Sequence, residues 1–145
     1  VNKRLNSILN DEKNAGITTI SFYEGFQQKA EQIKVDFLEF LGNAKRSHKT
    51  VAAYGAAAKG NTLLNFAGVG TNLISYVVDN NPEKQGKYLP GSRIPIVKES
   101  HLQNNRPDYL VILPWNLKSE ISERISSMTE QGMKIVTAIP ELSVS

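Results

Sequence analysis

The sequence predicts an α/β fold: a mostly parallel sheet covered by helices on both faces, with one long amphipathic helix ahead of it. Three observations predict it. From residue 50 onward, short and almost wholly apolar runs alternate with segments of helical character, and strands apolar on both sides belong to a parallel sheet covered on both faces. The first run leads through a small-residue turn into a helix, Val51-Ala-Ala-Tyr-Gly-Ala-Ala-Ala-Lys-Gly-Asn-Thr-Leu-Leu64, the strand–turn–helix order of nucleotide-binding α/β units. Before them Phe22, Phe26, Ala30, Ile33, Phe37 and Phe40 recur at steps of three and four, with Leu41 adjoining, which draws one apolar stripe along a helix. The expected architecture is a Rossmann-like domain of three layers.

Taken in order, residues 1–20 are polar and contain a turn-forming stretch, Asn10-Asp-Glu-Lys-Asn-Ala-Gly16. They read as a linker or edge segment outside the core, with the domain proper at 21–145. Ser21-Phe-Tyr-Glu24 has the spacing of a capping box, in which hydroxyl and carboxylate each satisfy an orphan N–H at a helix start. The striped helix should follow and end at Gly42, with Lys45, Arg46, His48 and Lys49 as a basic connection. Strands are expected at 51–54, 73–78, 109–113 and 135–139, with a short piece at 94–96. Helices are expected at 59–67, around 98–103 and at 117–131. The last has Asn116 as its N-cap, a Leu117, Ile121, Ile125, Met128 stripe and Gly132 just past its end.

Composition narrows the function. A chain of 145 residues, 40% hydrophobic and 21% charged, builds one core and is neither disordered nor membrane-spanning in character. No apolar run approaches the roughly 20 residues of a spanning helix. Seventeen basic and 14 acidic residues are interspersed, for a net charge of +3, so neither a nucleic-acid nor a membrane partner is expected. With no cysteine there is no disulfide, thiolate zinc site or cysteine nucleophile, and two isolated histidines, His48 and His101, make no metal site. Nothing near Val1 has the order of a signal peptide. A cytoplasmic location is expected, either for this chain or for a longer one of which it is a piece.

Four clusters offer chemistry. In the turn after the first strand, backbone N–H groups and the positive end of a helix dipole make an anion site. Gly55, Ala57 and Gly60 occupy the three positions of a dinucleotide fingerprint, but the Ala57 methyl sits where a pyrophosphate would approach, which argues against ordinary NAD binding. As a phosphate-binding P-loop the turn fails, because Lys59 precedes Gly60 and Asn61 follows it. The alternative is plain close packing of strand on helix. Asp79 stands 19 residues beyond Gly60, near the ~20-residue offset of a ribose-binding acid, although Asp79-Asn-Asn-Pro82 could equally be a turn that this carboxylate caps. Lys84-Gln-Gly-Lys-Tyr-Leu-Pro-Gly91 is either a solvated loop or a phosphate- and sugar-contacting one. In Leu113-Pro-Trp-Asn116, Trp115 could stack on a base or sugar, while Asn116 binds ligand or caps the next helix.

The segments 54–65, 76–91, 94–96, 106–121 and 139–140, in that order, resemble the C-terminal domain of bacterial S-adenosylmethionine-dependent C-methyltransferases. The likeness runs from about residue 20 to the end. Members have a small N-terminal zinc-binding domain and a central methyltransferase domain, and several methylate a carbon of a nucleotide-linked keto-sugar in making branched deoxysugars. The resemblance implies a substrate-anchoring domain whose parent enzyme uses S-adenosylmethionine, with the methyl donor and the proton-transfer residues in the absent central part. It implies no catalytic residue, metal or cofactor here. It places nucleotide-diphosphate sugar contacts at Gly55, Ala56, Ala57, Lys59, Gly60 and Asn61, at Asp79 and Asn80, at Lys84, Gln85, Gly86 and Tyr88, and at Trp115 and Asn116. Two other readings stay open. The glycine pattern with Asp79 suits an NAD-binding oxidoreductase module, and the long Phe22–Leu41 stripe suits a nucleotide-sensing or interaction domain that packs against a partner.

Overall fold

The fold is built around β1 (Val51–Tyr54), a strand buried along its whole length. In a computed structural model that describes residues 2–145, β1 pairs in parallel with β2 (Val77–Val78) on one side and β4 (Tyr109–Ile112) on the other. Beyond β2 lies β3 (Ile96–Val97), and beyond β4 lies β5 (Lys134–Thr137), both parallel. Antiparallel β6 (Ser143–Val144) closes the order β3-β2-β1-β4-β5-β6. This is the expected α/β architecture with a mostly parallel sheet.

The twofold period of the strands sorts the core into two faces. Val51, Ala53, Val77, Ile96, Val111 and Val136 pack under α2 (Phe26–Arg46) and α3 (Ala58–Ala67), through Phe37, Leu41, Leu63 and Leu64. Ala52, Tyr54, Val78, Leu110, Ile112 and Ile135 face the other way, under α4 (His101–Asn104) and α5 (Lys118–Arg124), through Leu102, Ile121 and Ile125.

Contacts group the chain into two units, one ending at Gln32 and one from Ile33 to Ser145. In the first, the stretch read as a linker or edge segment forms a helix, α1 (Lys3–Asn14), whose start is capped by the Asn2 side chain accepting from the Arg4 N–H. Leu5, Ile8 and Leu9 share a face at helical spacing, a pattern outweighed in the sequence by the polar residues around it. The capping box does not form. Ser21 lies inside a 3-10 turn (Ile20–Tyr23), its carbonyl accepting from the Glu24 N–H, and Glu24 takes extended ψ. Helix α2 starts instead at Phe26, after Gly25 at φ +81.

In the second unit α2 continues past Gly42 to Arg46. Its end is closed by Lys49 N–H donating to the Ala44 carbonyl (2.8 Å) and His48 N–H to Lys45 (3.0 Å), with His48 at φ +56. That is a Schellman end with histidine where glycine usually sits. The stripe is buried only in its C-terminal part: Phe37 and Leu41 are inaccessible, whereas Phe26 is 71% exposed. The run 73–78 contributes only Val77 and Val78 to the sheet, since Leu73 and Ile74 turn back to bond the Gly70 carbonyl. The helix expected at 117–131 is broken. A 3-10 turn (Trp115–Leu117) leads into α5, and Ile125, at φ −103 and ψ 14, separates it from α6 (Ser126–Thr129). Among the described residues no helix is long and apolar enough to cross a membrane.

Candidate functional site at the carboxyl edge of the sheet

Neighbouring strands leave β1 in opposite directions, β2 to one side and β4 to the other. The crevice beyond the carboxyl ends of β1 and β4 is where open α/β sheets bind ligands. Two glycines shape it. Gly55 adopts φ +88, and a Cβ there would lie 2.5 Å from Cδ of Pro114, while a Cβ on Gly60 would lie 2.4 Å from Cβ of Leu113. Glycine at both positions lets the β1–α3 turn rest directly on the end of β4. Helix α3 then starts with Ala57 as its N-cap, which supplies no side-chain acceptor. Its first-turn N–H groups are left without a side-chain cap, at the positive end of a ten-residue helix.

Asp79 organises one flank of this turn. It is 8% exposed, and its carboxylate accepts from the Ala56 N–H (2.8 Å), the Asn81 N–H (2.8 Å) and the Lys84 ammonium (3.0 Å). Burial pushes the Asp79 carboxyl up, but the hydrogen bonds from Asn81, Lys84 and Ala56 outweigh it and hold it below the usual range. Lys84 also donates to the Ala56 carbonyl (3.0 Å), and the Gln85 amide to the Asp79 carbonyl (2.9 Å). Of the two readings of this carboxylate, the turn cap is seen: it fixes the turn and brings a cation beside it.

The other flank is made by Lys59, in the first turn of α3. Its ammonium lies 4.3 Å from the centre of the Trp115 ring and donates to Oδ1 of Asn116. Asn116 thus does not cap the following helix. It ties the loop after β4 to the start of α3. Further along α3, Asn65 donates to the carbonyls of Asn61 (2.8 Å) and Pro90 (3.0 Å), docking the 84–91 loop on the helix. The Asn61 side-chain oxygen is buried without a partner.

A polar cluster stands on the opposite face of β1. The Tyr54 hydroxyl contacts a Glu99 carboxylate oxygen, the Asn80 amide nitrogen (3.1 Å) and the Arg124 guanidinium (3.4 Å), and Arg124 also pairs with Glu120 (3.2 Å). Burial, then the Glu99 hydrogen bond, push the Tyr54 hydroxyl above its ordinary pKa. Among the described residues no group of three or more His, Cys, Asp or Glu side chains could hold a metal ion.

Over residues 1–140 the sequence matches the C-methyltransferase C-terminal domain family. The chain belongs to that family. It is similar to C-methyltransferase NovU of Streptomyces niveus, 36% identical over 134 residues, which cover 92% of this chain and 32% of that protein. The chain thus spans about a third of the length of the relative it matches.

Within this C-methyltransferase C-terminal domain, the fourteen positions singled out by sequence fall into four places. Gly55, Ala56, Ala57, Asp79, Lys84 and Gln85 form one connected flank of the β1–α3 turn, and Lys59, Gly60, Asn61, Trp115 and Asn116 lie along α3 and the end of β4. Asn80 turns to the Tyr54 side. Gly86 bonds the Ile96 carbonyl through its N–H, while Tyr88 pairs by backbone with Pro95 and leaves its ring exposed. Sequence reasoning missed Tyr54, Glu99 and Arg124. A tyrosine ending an otherwise aliphatic strand was the one available signal, since its partners lie 45 and 70 residues away.

Proposed function

We propose that this domain anchors the nucleotide-diphosphate handle of a keto-sugar for a C-methyltransferase whose methyl transfer takes place on a separate domain. One observation carries the reading: the uncapped start of α3, at the switch point of the sheet, has Lys59 on one side and Lys84 on the other. Backbone N–H donors and two ammonium groups suit the charge of a diphosphate. Trp115 offers a flat apolar face to the nucleoside or sugar. Membership in the C-methyltransferase C-terminal domain family and likeness to C-methyltransferase NovU support the rest.

In this reading the parent enzyme uses S-adenosylmethionine, bound by a central methyltransferase domain, and carries zinc on a small N-terminal domain. The residues present do not fit a methyl-donor site. Asp79, the acid in position to take a ribose, is buried and accepts from Ala56, Asn81 and Lys84, and no step of the transfer is assigned to this chain. Its contribution is to hold the sugar carbon in place before the methyl donor, which lowers the entropic part of the barrier.

Calorimetric titration of the chain with deoxythymidine diphosphate, NAD and S-adenosylmethionine tests the reading. The diphosphate is expected to bind, the other two to bind far more weakly, and Lys59→Ala to lower diphosphate affinity about tenfold. Preference for NAD would transfer the domain to the oxidoreductase class. Methylation of a keto-sugar by the 145 residues alone would also contradict the reading.

A further inference from the structure

The proton order around Tyr54 dictates the orientation of Asn80. Tyr54 is 4% exposed and ends β1 on the face away from α3. A glutamate carboxylate only accepts hydrogen bonds, so the single tyrosine proton goes to Glu99. The tyrosine oxygen is then left as an acceptor, and its two other neighbours are donors, Asn80 Nδ2 at 3.1 Å and Arg124 Nη1 at 3.4 Å. With Nδ2 committed inward, Oδ1 of Asn80 is directed away from the tyrosine. Asn80 is exposed, and its Oδ1 accepts from no described residue. Were the tyrosine proton free to turn toward Asn80, the amide could present either end.

Asn80 directly follows Asp79, beyond the end of β2, where the nucleoside of a nucleotide held at the β1–α3 turn lies in this topology. Asp79 is spent on the turn. Asp79 is also buried, whereas the amide oxygen next to it is an exposed acceptor at that strand end.

We propose that Glu99 and Tyr54 are positioning residues that lock the Asn80 amide with its oxygen outward, so that the site selects a nucleoside offering a hydrogen-bond donor there. That donor is either a sugar hydroxyl or the N3–H of a pyrimidine. The proposal rests on the anchoring reading and adds a selectivity to it.

The test is calorimetric titration of the chain with deoxythymidine diphosphate, its 3′-deoxy analogue and its N3-methyl analogue, for the unaltered sequence, Tyr54→Phe and Glu99→Met. One neutral hydrogen bond corresponds to about three- to tenfold in affinity. The unaltered chain should therefore lose about that factor with one analogue, which identifies the donor. In both variants that ratio should fall to about one or two, because the amide is free to turn, while the parent diphosphate still binds. General loosening of the fold would weaken all three ligands together and leave the ratio intact. Glu99→Met keeps side-chain length at a half-exposed position while removing the oxygen acceptor for the tyrosine proton, and carries the test if Tyr54→Phe does not fold. A ratio unchanged in the variants, or no discrimination in the unaltered chain, overturns the Tyr54 proposal while the anchoring reading stands. Failure of the diphosphate to bind the unaltered chain overturns both.

Discussion

The Lys59 ammonium lies over the ring of Trp115, 4.3 Å from its centre, and joins the first turn of α3 to the loop after β4. Trp115 is the sole tryptophan in the sequence, so tryptophan fluorescence reports on this site. A diphosphate at the start of α3 competes for the same cation, and the cation–π contact contributes only about 0.5–1 kcal/mol. Deoxythymidine diphosphate should therefore change Trp115 emission in a saturable way. Lys59→Met should move that response to about tenfold higher nucleotide concentration and shift the thermal midpoint by no more than a few degrees.

At the other end of the sheet, Asp108 holds the entry to β1. Its carboxylate accepts from Lys49 (2.8 Å), the Thr50 N–H (2.7 Å) and the Thr50 hydroxyl (2.9 Å). The Lys49 hydrogen bond, then that of the Thr50 N–H, lower its pKa from 3.8 to about 2. A carboxyl whose folded pKa is depressed stabilises the fold above its unfolded value, and that stability is lost as pH falls through the folded one. The side chain is 35% exposed, so solvent screening reduces the effect to about 1 kcal/mol. Asp108→Asn should cost that much in denaturant unfolding at pH 7, and the gap should close between pH 4 and about 2.

Gly60 is tested by adding one methyl group. Alanine favours a helix over glycine by about 1 kcal/mol, but its Cβ would stand 2.4 Å from that of Leu113. Overpacking of this kind costs about 1–3 kcal/mol. Gly60→Ala should lower stability by up to about 2 kcal/mol net, and nucleotide binding should weaken with it as α3 moves off the end of β4.

His48 predicts the opposite sign. It sits at φ +56 in the position that closes α2, where glycine carries no Cβ penalty. After the extra unfolded-state entropy of glycine is set against that relief, His48→Gly should stabilise by about 0.5 kcal/mol. Chemical denaturation would show it as a higher midpoint with unchanged slope.

How far the sequence disclosed all this depends on the range of the forces involved. Strand β1 is legible residue for residue, because four apolar residues before a glycine turn are a local pattern. Leu73 and Ile74 mislead, since the same apolarity that places Ile74 in the core makes it resemble a paired strand residue. Gly42 misleads for a related reason: the true helix end depends on hydrogen bonds that His48 and Lys49 make, and no glycine marks it. In the site, the β1–α3 turn and Lys59 are visible in one segment, and Lys84 in a second. That Asp79 faces inward to Ala56 and Lys84, and that Tyr54 gathers Asn80, Glu99 and Arg124, follows only from the closeness of strand ends in the folded sheet.

The central claim is that the start of α3 receives a diphosphate. Amide chemical-shift mapping of the isotope-labelled chain during titration with deoxythymidine diphosphate tests it most directly, because the N–H groups concerned are themselves the probes. The account predicts that Ala58, Lys59 and Gly60 shift most, with Ala56 and Lys84 following, and that inorganic pyrophosphate reproduces the shifts at α3 but not those near Asn80. Saturable binding with its largest shifts away from the β1–α3 turn, or no shifts there at millimolar nucleotide, would contradict it.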